Sequence, residues 1–382
     1  MVQRVEIKDD LIVWAIEESQ LPFDQIKAKF PSVESWIDHS KDPTFNQLKS
    51  FSDYLHVPFG YFFLDEPPEK ELLYAEFRAI ANKKPAMSKN LEDTLSEMTI
   101  KQNWMHDYRE IQGYEPVKFV GSFKRDSSAQ IKKFVDEALE IKEYWSENAR
   151  NLDDAYSSIK RRFENLGILI MQSGVVGTNT HRKLDINEFR GFVLLDLYAP
   201  LIFVNTNDSK TGMIFTLMHE FIHLLMGNED ILDKGEEIYI DNDAEKRINQ
   251  ITSMILIPDE IILNRQFTQE NFYSEINEIG RKLKVSSLSV SIKLKEMGII
   301  SQSEVDEVRK ISLENFEKKI KKEKKGNPDF IKVLNSKLSP SFSEAVLSQT
   351  QSGKIPFTEA YGLLGVKGKT FDKFKDFFFN YD

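Results

Sequence analysis

The residues best suited to chemistry in this sequence are His219, Glu220 and His223, in the run His219-Glu220-Phe221-Ile222-His223. On a helix, residues four apart share a face, with Cβ atoms roughly 5–6 Å apart. Two imidazoles at that spacing can converge on one metal ion, and zinc accepts histidine nitrogen readily. Glu220 is rotated about 100° from His219 around the helix axis. It can stand beside the metal without binding it and take a proton from a water held there. This is the mechanical content of the HExxH motif of zinc peptidases. The flanks Ile214, Phe215, Leu217, Met218, Leu224, Leu225 and Met226 are apolar, so the helix should be buried. Two histidines and a carboxylate in such a place need partners, and a metal satisfies all three.

A catalytic zinc usually takes three protein ligands and keeps one position open. The spacing argues against a third histidine on the pattern HExxHxxGxxH, because Gly227 falls one residue late and Glu229 and Asp230 stand where that histidine would approach. A carboxylate on the following helix is the better candidate. The stretch Asn242–Pro258 reads as that helix, with Asp241 or Asn242 as its N-cap. Glu245 lies at the edge of its apolar face, made by Ile248, Ile251 and Ile255. Asn249, one turn on, is placed to support a ligand by hydrogen bonding. Spacing alone leaves Asp241, Asp243 and Glu237 as rivals to Glu245. A donor for the oxyanion is also needed; Tyr239, His181 and Arg190 are the candidates.

The elements that must position these groups follow from periodicity. Residues 166–205 hold three short runs rich in β-branched and aromatic residues, LGILIMQSG, FRGFVLLD and LIFVN, which predict strands. Helical patterns follow at about 211–226 and 242–256, the second ended by Pro258. An extended substrate could pair with LIFVN or FVLLD. Residues 1–66 read as four or five short helices punctuated by Pro22, Pro31, Pro43 and Pro58, a small helix-turn-helix bundle with Trp36 in its core. Pro67-Pro68 reads as a stiff linker. Residues 67–165 read as a helical linker region, mostly helical and charged from about 87 on. Residues 272–310 return to short helices, the lysine run 318–325 reads as a solvated helix face or linker, and 328–382 form a last helical unit.

Composition bounds the rest. The chain has 382 residues, enough for two or three domains. Its net charge of -10 excludes a general nucleic-acid binder. It has no cysteine, which excludes disulfides and zinc–thiolate sites and leaves six histidines and the carboxylates as ligands. No apolar run approaches the ~18 residues of a membrane span, and no signal-peptide core follows the N-terminus. Together these predict a cytoplasmic protein.

HEFIHLLMG followed by EKRINQITSMILIP resembles the ImmA/IrrE family of metallo-endopeptidases, in which HExxH on one helix precedes E-x-x-x-N, an apolar stretch and a proline on the next. Glu245, Asn249 and Pro258 fall on that pattern, and the resemblance implies Glu245 as third zinc ligand. The lead-in FRGFVLLDLYAPLIFVNTNDSKTGMIFTLMHE is similar to the family's strand-strand-helix. Residues 1–66 are similar to the Xre-type helix-turn-helix of its long members, VPFGYFFLDEPPE to the exit from that domain, and SGKIPFTEAYGLLGVKGKTFDKF to their C-terminal helical unit. The resemblance implies an α+β fold. A zincin-like peptidase domain (166–315), with a small sheet, the HExxH helix and a ligand helix, would be flanked by small all-α domains. It also implies hydrolysis, by a zinc-activated water with Glu220 as base, of one regulatory protein such as a transcriptional repressor of a mobile element or stress response.

The N-terminal region departs from a DNA-binding pattern in its charge. Residues 1–66 hold twelve acids against six bases, and SVESWIDHS, at the recognition-helix position, has no Arg or Lys. Base readout and phosphate contacts both lean on such residues. Docking of a protein is therefore the expected role of this region. The competing reading is a non-catalytic regulator or antitoxin-like binding protein with a structural zinc site.

Overall fold

The computed structural model describes residues 4–68, 76–77, 87–141, 146, 149–227, 242–268, 270–322 and 329–380. Contacts divide the chain into two units, Met1–Leu73 with Lys84–Thr94, and Tyr74–Lys83 with Leu95–Asp382.

Unit 1 is built from short helices: α1 (Asp9–Ser19), α2 (Phe23–Lys29), α3 (Val33–Ile37) and α4 (Phe45–Leu55), then a 3-10 turn at Phe59–Phe63. Thr44 and Gln47 form a reciprocal capping box at the start of α4, satisfying two backbone donors that the helix end leaves bare. Trp36 is buried and meets Phe51 edge-on, with ring centroids 5.3 Å apart. Its burial commits α3 to the core, and the exposed remainder of that five-residue helix offers no basic side chain.

Unit 2 carries the sheet. Its elements begin with β1 (Glu76–Phe77) and α5 (Lys89–Ile111), which belongs to this unit from Leu95 on. Then come α6 (Ser128–Ala138), α7 (Leu152–Asn165), β2 (Leu169–Ser173), β3 (Gly191–Leu194), β4 (Leu201–Asn205), α8 (Lys210–Met226) and α9 (Asn242–Leu256). The strand order is β1-β3-β4-β2, with β2 parallel to β4 and β3 antiparallel to it. Every residue of β2, β3 and β4 is buried. This explains why they read as continuous apolar runs and not as alternating ones. Phe192 and Phe203 stack across the β3–β4 pair at 4.9 Å. Buried Gln102 of α5 donates to the carbonyls of Leu194 and Ala199 and so ties down the β3–β4 connection.

The strand order corrects one expectation. LIFVN is β4, an interior strand with β3 and β2 on its two sides, so no substrate can pair with it. β1 leaves no mark in the sequence, because two residues carry no periodicity.

The trailing helices are α10 (Asp259–Leu263), begun at Pro258, α11 (Phe272–Leu283), α12 (Ser287–Glu296) and α13 (Gln302–Lys322). The lysine run closes α13, and its last residues, 323–325, lie outside the described residues. The C-terminal helices are α14 (Phe330–Lys337), α15 (Pro340–Gln351), α16 (Phe357–Leu364) and α17 (Lys369–Asn380). Among the described residues no helix is long and apolar enough to cross a membrane.

The turn between α14 and α15 seals the outer side of β2, which would otherwise be an open edge. Ser336 offers its carbonyl to Gln172 of β2 at 2.7 Å and to Lys160 of α7 at 3.2 Å. Glu164 accepts from the Ile170 amide at 3.2 Å and from the Ser339 hydroxyl at 2.6 Å. Desolvation pushes the Glu164 carboxyl up to about 7, against the pull of Lys160, these two hydrogen bonds and Arg109. A carboxyl raised on folding binds its proton more tightly in the native state. Its contribution is therefore complete below the unfolded value near 4.5 and is lost as pH rises through about 7. Glu164→Gln should flatten that window: thermal melts of the variant should match wild type at pH 5 and exceed it at pH 8.

Candidate metal centre

α8 is the most buried helix that bears on the site, with every residue from Met213 to Leu225 buried except Phe215. Its start is set by the Ser209 side chain, which accepts from the Gly212 amide at 3.1 Å. Its end is set by Gly227, whose φ of 53° and whose approach to Gly121 leave no room for a side chain; an added Cβ would lie 2.7 Å from the Gly121 Cα. Between these ends α8 packs against β3 and β4 and against α7 and α9. Phe221, between the two histidines in sequence, is wedged edge-on against Phe163 of α7 at 5.0 Å. That anchor leaves the opposite side of the turn, with His219 and His223, facing α9.

The two histidine Nε2 atoms lie 3.0 Å apart. Glu245, in the first turns of α9, brings Oε1 to 3.0 Å from His223 Nε2 and Oε2 to 3.5 Å from His219 Nε2. α9 is held in place by Ile248, Ile251 and Ile255 in the core and by Arg247, whose guanidinium donates to the Asp126 carbonyl. Among the described residues, His219, His223 and Glu245 form the group that could hold a metal ion. The donor set fits one. Tetrahedral ligands at zinc's bond lengths of about 2.0–2.1 Å stand roughly 3.3–3.4 Å from one another. The three separations here bracket that value, and three donors leave a fourth direction open.

Glu220 is fully buried on the same helix. Gly191, the first residue of β3, passes directly over it: a Cβ there would come 3.4 Å from Glu220 Cγ, 2.8 Å from the Phe203 carbonyl and 2.4 Å from Thr216 Cγ2. In the sequence Gly191 stands out only as a glycine near a strand end. In the structure it is the point where β3 closes on the Glu220 face of α8. Gly191→Ala should cost about 1–3 kcal/mol through overpacking. A urea titration with an unchanged midpoint would show that β3 yields freely there.

The other predicted residues are placed differently. Asn249 is half-buried one turn beyond Glu245 on α9. Asp243 is exposed, pairs with Lys246 at 3.2 Å and is not among the gathered ligands. His181 is exposed in the connection between β2 and β3 and is not among the gathered ligands. Arg190, just before β3, donates to Asp208 at 2.7 Å, an ion pair to the connection that leads from β4 into α8. Tyr239, Glu237 and Asp241 lie outside the described residues.

This geometry meets the comparisons with known proteins at one segment. Residues 163–295 match peptidase family M78, the IrrE N-terminal-like domain. The matched segment runs from the end of α7 through all three longer strands, α8 and α9, and so contains the whole His–His–Glu cluster. The match supports the ImmA/IrrE resemblance and a metallopeptidase-like function for this segment. Residues 338–376, within α15–α17 and the turn before them, match a domain family of unknown function, DUF8813. No curated protein and no solved structure matches the chain.

Proposed function

We propose that this chain is a zinc-dependent endopeptidase that cleaves one regulatory protein, with His219, His223 and Glu245 as metal ligands and Glu220 as general base. The observation that carries the reading is the meeting of three metal-type donors from two helices beside a buried glutamate, inside a segment that matches a peptidase family. Bound there, zinc would polarise a carbonyl and make a water acidic near neutral pH. Glu220 takes the proton of the attacking water and delivers it to the leaving amine. Its burial keeps that carboxylate away from bulk solvent, and Gly191 keeps β3 close to it. Asn249 steadies Glu245.

In this reading residues 1–66 form a helix-turn-helix-type regulatory domain, 67–165 a helical linker region, 166–315 the peptidase and 328–382 a C-terminal helical unit. The protein works in the cytoplasm. The acidic N-terminal domain docks protein in preference to DNA, and the substrate class, a transcriptional repressor or similar regulator, follows from the family resemblance. The test is a comparison of new protein N-termini, by mass spectrometry, in cells producing the chain or its Glu220→Gln variant, with and without stress. One protein gaining a terminus only with the unaltered chain identifies the substrate. Identical termini in every condition would favour the non-catalytic regulator.

A further inference from the structure

β3 is the strand that bears on the buried glutamate, through Gly191. Its inner edge is taken by β4. A peptide to be cut beside Glu220 in an extended conformation would draw its backbone hydrogen bonds from the outer edge of β3. Among the described residues the other strands offer no alternative, since β4 is interior and the outer side of β2 is met by Glu164, Ser336 and the turn before α15. In this structure the outer edge of β3 is already paired. Glu76 stands opposite Val193 and Phe77 opposite Phe192, in antiparallel register.

We propose that β1 is an internal stand-in for substrate: residues 76–77 cover the edge on which a substrate strand must lie, and cleavage requires their displacement. The proposal deepens the peptidase reading above and rests on it. Two features make β1 suited to removal. It is only two residues long, whereas β3 offers four, so a longer substrate strand running from Gly191 to Leu194 makes more ladder bonds than β1 does. Its position along the chain also gives the N-terminal unit a covalent hold on it, because residues 4–68 before it and 87–94 after it both belong to unit 1. A tethered strand competes at an effective concentration of about millimolar, enough to keep weak peptides out while giving way to a well-matched one.

The test uses the full, zinc-loaded chain carrying Glu220→Gln, so that bound peptide stays uncut. A fluorescent peptide with the sequence of residues 73–80 is titrated against this protein and against the same protein carrying Glu76→Pro and Phe77→Pro, which cannot maintain the pairing. Fluorescence anisotropy should show binding at least about tenfold tighter to the proline variant. Equal affinity for both, or binding to neither, overturns the proposal. Circular dichroism melts check that the prolines leave the fold intact; if they do not, Glu76→Gly with Phe77→Gly replaces them, with the same two outcomes. New protein N-termini in cells producing the variants with Glu220 restored separate the readings. Tighter peptide binding while no protein gains a terminus refutes the peptidase, whereas equal binding refutes the covering strand whatever the termini show.

Discussion

Glu220→Gln should leave the chain with its zinc and without its turnover. Glutamine has nearly the shape of glutamate, so a fully buried side chain at this position can be exchanged with little change in packing. What it loses is the ability to accept a proton from the attacking water. A positioned general base contributes about 10²–10⁴ in rate, and cleavage of the substrate should fall by that range. Zinc content after dialysis should stay at one ion per chain, because the three donors that converge are His219, His223 and Glu245. The pairing of the two measurements gives the experiment its power. Loss of zinc together with turnover would make Glu220 part of the metal's coordination and undo the division of roles. Unchanged biological output from the Glu220→Gln variant would mean that the site has no use for a base, the behaviour of a structural zinc site in a binding protein.

The helix that carries this chemistry was legible because its signals are local. The helical pattern read at about 211–226 is the helix observed, Lys210–Met226, which Ser209 caps and Gly227 ends. The ligand helix, Asn242–Leu256, was legible for the same reason, with Pro258 as its stop. The three longer strands were visible as short β-branched and aromatic runs. What local pattern could not carry is who lies beside whom. LIFVN and FVLLD look alike in sequence, yet one is interior and the other has an edge that β1 takes, and only the strand order separates them.

The same limit applies to charged side chains around the centre. Spacing left Asp243 as a rival to Glu245, although the two differ by two residues on one helix. A two-residue step turns a helix by about 200°, so Asp243 faces solvent and Lys246 while Glu245 meets the histidines. Arg190 was a candidate oxyanion donor; its partner Asp208 lies beyond the end of β4, brought beside it by the β3–β4 pairing that no local pattern announces. Gly191 shows the converse. A glycine in a strand is a common turn marker, and its role against Glu220 depends on how closely a helix crosses beneath it.

His223→Ala should remove most of the chain's response to zinc. Apparent zinc binding energies of about 10–16 kcal/mol in four-ligand sites put each ligand at roughly 2.5–4 kcal/mol, so deleting one should weaken affinity by about 10²–10³. With Asn249 in its proposed role as a support of Glu245, Asn249→Ala should cost about 10–100-fold. The effect is readable without a substrate, because an ion that binds the folded chain stabilises it by RT ln(1 + [L]/Kd). At free zinc a thousandfold above the wild-type Kd that is about 4 kcal/mol. At the same zinc concentration a thousandfold weaker variant retains only about 0.4 kcal/mol. Thermal melts with zinc and with a chelator should therefore differ by several degrees for the unaltered chain, by less for Asn249→Ala and hardly at all for His223→Ala. His223 Nε2 stands 3.0 Å from both His219 Nε2 and Glu245 Oε1, so its loss removes one corner of the cluster and leaves the other two donors in place. A variant that gained as much from zinc as the unaltered chain would place the metal elsewhere. An unaltered chain that gained nothing would mean that three converging donors do not amount to a zinc site.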